Sequence, residues 1–172
     1  MSPETEQIAS ITASAFTSAL SLAANGVSVV TTSHESKEAG LTVSSMCSVC
    51  ADPALLLICV NTENEFCSIA ESSGFFAVNI IPNDAVELAT VFAGLGDDPD
   101  ASRFDTGEWS TLTTGAPILT NALVALDCQV DSSVVKGSHR VFFGRVVDIR
   151  TTSGEPLIYT DRRFAIVHPE PL

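Results

Sequence analysis

The side chains of this 172-residue chain best suited to bond-making chemistry are three histidines, five cysteines and a run of hydroxyls. A hydrolytic Ser–His–Asp set needs its serine on a sharp strand-to-helix turn such as G-x-S-x-G, and no serine here sits in one. Cys47-Ser48-Val49-Cys50 is a lone C-x-x-C, whereas zinc sites of this type use two such pairs. It falls in a predicted strand, where positions three apart point to opposite faces. Buried small side chains are therefore expected there, with no metal site. His34 and His168 fall in a turn and a tail. His139 follows Gly137-Ser138 at the start of an apolar strand, where its ring either reaches into a cleft or stays solvated.

Phosphate-binding signatures are missing. No glycine fingerprint joins a strand to a helix. Gly94-Leu95-Gly96 is followed by three aspartates within four residues, whose charge repels phosphates. Any nucleotide must be held in another way. Leu41 to Val49 carries hydroxyls at Thr42, Ser44, Ser45 and Ser48. Such a strand fits two readings: one face of a solvated sheet, or the wall of a site for a planar, hydrogen-bond-rich ligand.

The elements that must position these residues follow from composition and period. Apolar residues make up 45% and charged residues 17%, which excludes a disordered chain. The formal net charge of −13 disfavours nucleic acid and anionic membranes, both of which are bound through Lys and Arg. The start is acidic, and no run approaches the roughly 18 apolar residues of a membrane span. Five unevenly spaced cysteines suit reduced thiols, so a cytoplasmic protein is expected.

Ile8, Ile11, Ala15, Phe16, Ala19 and Leu22 share one helix face. The helix is expected to start near Pro3 or Thr5 and to end at Asn25-Gly26. Strands are predicted over Val27–Ser33, Leu41–Val49, Ala54–Val60, Phe75–Ile81, Ala122–Ser132, Arg140–Ile149 and Leu157–Tyr159. The unbroken apolar run Ala54–Val60 predicts burial on both faces. Polar segments are expected at His34–Gly40, as a long loop over Gly94–Ser110, and at Ser132–Ser138 with Gly137 in the tight position. Short helices are predicted at Cys67–Ser72 and Asp84–Phe92, the second capped by Asn83 or Asp84. Few helices between many short strands argue for an antiparallel barrel over a parallel α/β sheet. One domain is expected over residues 1–172, with 1–7 and 166–172 as flexible ends.

The ordered motifs resemble the flavin reductase-like, FMN-binding split-barrel family. Asn25-Gly26-Val27-Ser28-Val29-Val30-Thr31-Thr32 looks like its first strand. Gly40-Leu41-Thr42-Val43-Ser44-Ser45-Met46-Cys47-Ser48-Val49, then Asp52-Pro53 and an apolar strand, carries the strongest likeness. Glu71 to Ile81, Phe92-Ala93-Gly94 and Arg103-Phe104 follow in order. Gly137-Ser138-His139 with Gly144-Arg145-Val146 is close to the family's G-D-H-x-x-x-x-G-R-V. Leu157-Ile158-Tyr159 and Arg162-Arg163-Phe164 fit the closing strand. The likeness covers about residues 11 to 165.

This resemblance implies a mainly β fold. The expected form is a six- to seven-stranded antiparallel split barrel of Greek-key type, with an N-terminal helix and short flanking helices. It implies a homodimer resembling the small reductase component of two-component flavin monooxygenases. The expected cofactors are FMN or FAD, with NADH or NADPH as hydride donor, and the expected partner is a flavin-dependent oxygenase. By position, Thr42, Val43, Ser44, Ser45 and Cys47 should line the flavin ring and ribityl chain. Asn61, Thr62, Asn64 and Phe66 should lie at its phosphate, with Asn79 nearby and Tyr159 and Arg162 near the cleft. His139 should position the nicotinamide. Three departures stand out. Glu63 and Glu65 occupy the phosphate loop, Cys47 and Cys50 replace Ser or Thr, and Ser138 replaces Asp. The first favours a loosely held flavin; the alternatives are bound FMN for electron transfer, a non-catalytic flavin- or haem-binding barrel, or a structural or regulatory dimer that kept the fold and lost the site.

Overall fold

A computed structural model describes residues 10–98 and 101–168. The expected helix start at Pro3 or Thr5, Ile8, and the chain ends 1–7 and 169–172 lie outside the described residues. The first helix, α1 (Ala13–Leu20), is shorter than predicted. It begins where the Thr12 hydroxyl accepts a bond from the Ala15 N–H at 3.2 Å, a conventional N-cap. Asn25-Gly26 does not cap it. Those two residues form a short strand, β1 (Asn25–Gly26), paired later in the chain.

The chain continues through β2 (Ser28–His34), β3 (Lys37–Val43), β4 (Cys47–Ala51) and β5 (Ala54–Asn61). Helix α2 (Phe66–Ser73) ends at Gly74, whose φ of 77° is the left-handed conformation that glycine adopts at little cost. After β6 (Phe75–Ile80) and α3 (Val86–Phe92) come a 3₁₀ turn (Arg103–Asp105), β7 (Trp109–Thr111) and β8 (Pro117–Leu119). The long pair β9 (Val124–Lys136) and β10 (His139–Thr151) is followed by β11 (Ile158–Thr160) and β12 (Arg163–Ala165). Seven strands form one antiparallel sheet in the order β3-β2-β6-β9-β10-β5-β4. The fold is the mainly β, seven-stranded antiparallel architecture expected, with three α-helices among the described residues.

The sheet curls until its two flanks approach. β4 covers only the Ala54–Leu57 part of β5. Beyond it, the Ser45 hydroxyl donates to the Cys59 carbonyl (3.0 Å) and accepts from the Cys59 N–H (3.4 Å). A side chain thus does at one point what a neighbouring strand would do, and buried backbone groups are left paired.

Two cores lie on opposite sides of β2 and β6. Val30, Phe76 and Val78 face the first, inside the curl. Val29 and Ala77 face the second, under α3 and β8. Alternate residues of one strand point to opposite faces, so these are the strands buried on both sides. β5, for which that burial was predicted, alternates instead. Leu56, Ile58 and Val60 are buried, while Leu55 and Leu57 are half-exposed. Its apolar run reflects a second surface, described below.

In the first core Phe66, Phe76 and Phe142 meet with ring centroids 5.9 to 6.4 Å apart. Gly144 is required beside them, because a Cβ there would stand 2.4 Å from Phe76 Cζ. In the second, Phe92, Phe104 and Trp109 pack at 5.0 to 5.4 Å. The last two anchor the segment predicted as a plain loop, and the Arg103 guanidinium pins it by donating to the Gly40 carbonyl at 2.9 Å.

Other boundaries also differ from expectation. His34–Gly40 is mostly strand, with the turn confined to Glu35-Ser36. Leu41–Val49 is two strands broken at Ser44–Met46. Ser132–Ser138 is not a loop: β9 runs to Lys136 and the turn is only Gly137-Ser138. Gly137, with φ of 59°, does hold the tight position. Helix α3 has no side-chain cap, since Asn83 donates instead to the Glu155 carboxylate at 3.0 Å.

Candidate functional site

The residues singled out in the sequence gather in two groups joined through Ser45. The first surrounds a cleft of about 200 Å³ lined by Val27, Thr42, Val43, Ser44, Leu95, Tyr159 and Phe164. Tyr159 and Phe164 meet edge to face, centroids 5.6 Å apart, on the β11–β12 hairpin. The hairpin turns through Asp161 and Arg162, both at positive φ (49° and 58°), as a two-residue turn matching strand twist requires. Arg162 lies on this exposed turn and does not line the cleft.

The hydroxyls of this group divide by use. Thr42 donates to the Ala89 carbonyl at 2.7 Å and ties β3 to α3. Ser45 is spent on Cys59. Ser44 is exposed, and among the described residues its hydroxyl has no partner. Of the three, it is the one free to meet a ligand. Val43 is 7% exposed and packs in the first core.

The second group sits two residues further along β5. Asn61 pairs with His139 across the β5–β10 ladder. Thr62 donates its N–H (3.0 Å) and its hydroxyl (3.2 Å) to the Ser138 carbonyl. Ser138 Oγ stands 3.0 Å from Nδ1 of His139. The Asn61 and Asn64 carbonyl oxygens accept from the N–H groups of Glu63 and Phe66, both at 3.0 Å, so the turn entering α2 is held by its own side chains. Glu65 turns toward another groove, which it shares with Glu38 and Arg103.

Two expected site residues serve the interior instead. Phe66 is 0% exposed among the core rings. Asn79 is also 0% exposed; its amide donates to Val29 and Thr31 and accepts from the Leu119 N–H, which locks β2, β6 and β8 together. Both types were compatible with a ligand, and only burial distinguishes the roles.

Cys47 and Cys50 are exposed, contrary to expectation. A bulge between Ser48 and Cys50 pairs them with Leu57 and Leu55. The extra residue returns both cysteines to one face, which undoes the alternation assumed for positions three apart. Among the described residues no group of three His, Cys, Asp or Glu is placed to hold a metal. Burial pushes the Cys59 and Cys67 thiols up, and burial followed by the Asp127 charge pushes Cys128 to about 12. Leu95 was not singled out in the sequence. A lone large apolar residue in an acidic glycine-rich segment was the available signal.

Residues 20–168 match the flavin reductase like domain. The chain belongs to that family. Among the flavin reductase relatives, an FMN reductase (NADH) RutF of Pseudomonas syringae pv. syringae is 37% identical over 158 residues, 91% of this chain and 88% of that protein. The flavin reductase PheA2 is 28% identical with a TM-score of 0.85, covering 92% of this chain and all of that one. SgcE6, an NADH:FAD oxidoreductase of Streptomyces globisporus C-1027, is 27% identical with a TM-score of 0.85, over 97% of this chain and all of that one. BorF, the flavin reductase component of a bacterial two-component tryptophan halogenase, is 26% identical with a TM-score of 0.82, over 92% of this chain and all of that one.

Proposed function

We propose that this chain is a flavin reductase that oxidises NADH or NADPH and releases reduced FMN or FAD to a partner flavin-dependent oxygenase. The observation that carries the reading is the line of motif residues along β5. Ser45 is fixed to Cys59, and Asn61 and His139 follow two residues on, at the border of the Ser44 cleft's strand junction. Family membership and the printed activities of RutF, SgcE6 and BorF support it.

The flavin and nicotinamide supply the redox chemistry, a hydride passing from nicotinamide C4 to flavin N5. The protein's part is placement, which brings reacting atoms to about 3–3.5 Å and removes an entropic share of the activation barrier. Ser44 and the backbone beside it face the flavin ring against Tyr159. Thr62, the Asn61 and Asn64 amides and the turn before α2 face the phosphate. His139 orients the nicotinamide. The outward course of Glu65 relieves part of the repulsion its charge would exert, and Glu63 leaves a flavin that comes and goes.

A homodimer fits the outer surface. Leu57, Cys59, Val141 and Phe143 are half-exposed, and cross-strand pairing puts them on one face with Cys47 and His139. A second copy laid there would border His139. A cytoplasmic setting fits five free thiols, and no helix among the described residues is long and apolar enough to cross a membrane.

Steady-state oxidation of NADH and NADPH with FMN, FAD and riboflavin tests the reading. Oxidation that requires added flavin is expected, with colourless protein after gel filtration. His139→Ala should raise KM for the nicotinamide about tenfold, the worth of one lost hydrogen bond. Yellow protein would assign a bound cofactor, and no oxidation with any pair would remove the enzymatic reading.

A further inference from the structure

We propose that Ser138 is a positioning residue that holds His139 in its Nε2–H tautomer and turns that donor outward. The inference concerns the state of the ring; its value for catalysis rests on the nicotinamide role given to His139 above.

The geometry begins with the turn. Gly137 at φ 59° starts a two-residue connection in which Ser138 immediately precedes the first residue of β10. The Ser138 carbonyl receives both the Thr62 N–H and the Thr62 hydroxyl, at 3.0 and 3.2 Å. Two bonds to one carbonyl fix the peptide plane from which the Ser138 side chain leaves. That side chain then meets Nδ1 of His139 at 3.0 Å. It is the ring's only hydrogen-bond partner among the described residues, and the residue is exposed.

A neutral imidazole has one N–H and one bare nitrogen, and whichever nitrogen is engaged sets what the other offers. A serine hydroxyl can donate or accept. The bare imidazole nitrogen is a stronger base than a hydroxyl oxygen, so the favoured arrangement has Ser138 donating to Nδ1. Nε2 then carries the proton. The cross-strand neighbours do not oppose this. Lys136, paired with His139 on β9, offers only N–H donors and cannot accept from an Nδ1–H. Asn61, paired on β5, has its side-chain oxygen turned to the Glu63 N–H and makes no hydrogen bond to the ring. A carboxylate in place of Ser138 would act in the opposite sense. As an acceptor only, it would demand the proton on Nδ1 and leave Nε2 bare. Ser138 therefore makes His139 a neutral donor toward an acceptor such as an amide oxygen. Through Thr62, the turn proposed for the flavin phosphate fixes the same residue.

Nitrogen-15 NMR of the full chain, labelled at histidine and recorded above the range where imidazole protonates, tests the state directly. His139→Ala identifies the resonance among the three histidines. The wild type should show a bare Nδ1 and a protonated Nε2. Ser138→Ala should lose this fixed pattern for one averaging between tautomers, Ser138→Thr should keep it, and Ser138→Asp should move the proton to Nδ1. In the reductase assay Ser138→Ala should raise KM for NADH roughly fivefold with kcat little changed, and Ser138→Thr should restore it. A protonated Nδ1 in the wild type, or a Ser138→Ala spectrum identical to it, overturns the proposal. Because the spectrum needs neither flavin nor NADH, its failure is distinguishable from failure of the reductase reading. Circular dichroism confirms that each variant is folded.

Discussion

Cys128 illustrates how far a side chain's chemistry depends on its surroundings. It lies fully buried between β6 and β10, beside Asp127, and its thiol is pushed up to about 12. The folded state therefore holds its proton more tightly than the unfolded chain, where the thiol ionises near 8.5. Stability from this difference is complete below the unfolded value and is lost as pH rises from there toward 12. Its slope reaches at most about 1.4 kcal/mol per pH unit. Urea unfolding of wild type and Cys128→Ala on either side of pH 9 checks it. The stability gap between them should narrow at the higher pH, and parallel curves would refute the assignment. Exposed Cys47 and Cys50 carry the same functional group without this constraint. The sequence set Cys47 and Cys50 apart by their spacing, but nothing in it singled out Cys128. The family resemblance also placed Phe66 and Asn79 with Ser44 as ligand contacts, by position alone. What separates them is burial, which depends on strands far away in the chain.

Ser45 belongs to the scale of elements, since its hydroxyl joins the end of β3 to β5 where no strand pairing does. Ser45→Ala should cost about 1 kcal/mol, the net value of such a bond, and should speed amide exchange at Cys59. Unchanged exchange there would show that the junction is held by other contacts. The segments that build the seven-stranded sheet were legible in the sequence, as were α2 and the Gly137 turn, whereas the short strands β1, β7, β8 and β12 were not. The break at Ser44–Met46 was not, because hydroxyl residues suit both a strand and the bend between two strands. The bulge after Ser48 was equally hidden. It is defined by pairing with Leu55 and Leu56, not by anything local to Val49. β5 was misjudged for a related reason. An unbroken apolar run looks the same whether its second face meets another layer of the same chain or lies on the outside of the sheet.

That outer face matters for the molecule as a whole. Leu57 and Phe143 pair across β5 and β10 on the face turned away from the first core, and α1 has no buried residue. Its Phe16 and Leu20 are 51% and 54% exposed. A second copy covering these surfaces would remove apolar area from water at about 25 cal/mol per Å². Two chains of net charge −13 repel one another, so added salt should tighten the association. Sedimentation should give twice the chain mass for the wild type and the chain mass for Leu57→Asp. A wild type that sediments as a single chain at micromolar concentration would refute the homodimer.

β2 and β6 are the partition between the Phe66–Phe76–Phe142 interior and the Phe92–Phe104–Trp109 interior. A partition shared by two rooms cannot be removed from one of them alone. If the layer of α3 and β8 lifted away, Val29 and Ala77 would be wetted on strands whose other residues still line the barrel. If the barrel opened, Val30 and Val78 would be stranded in the same way. Neither core has a surface on which it could stop unfolding, so the two interiors should be lost together.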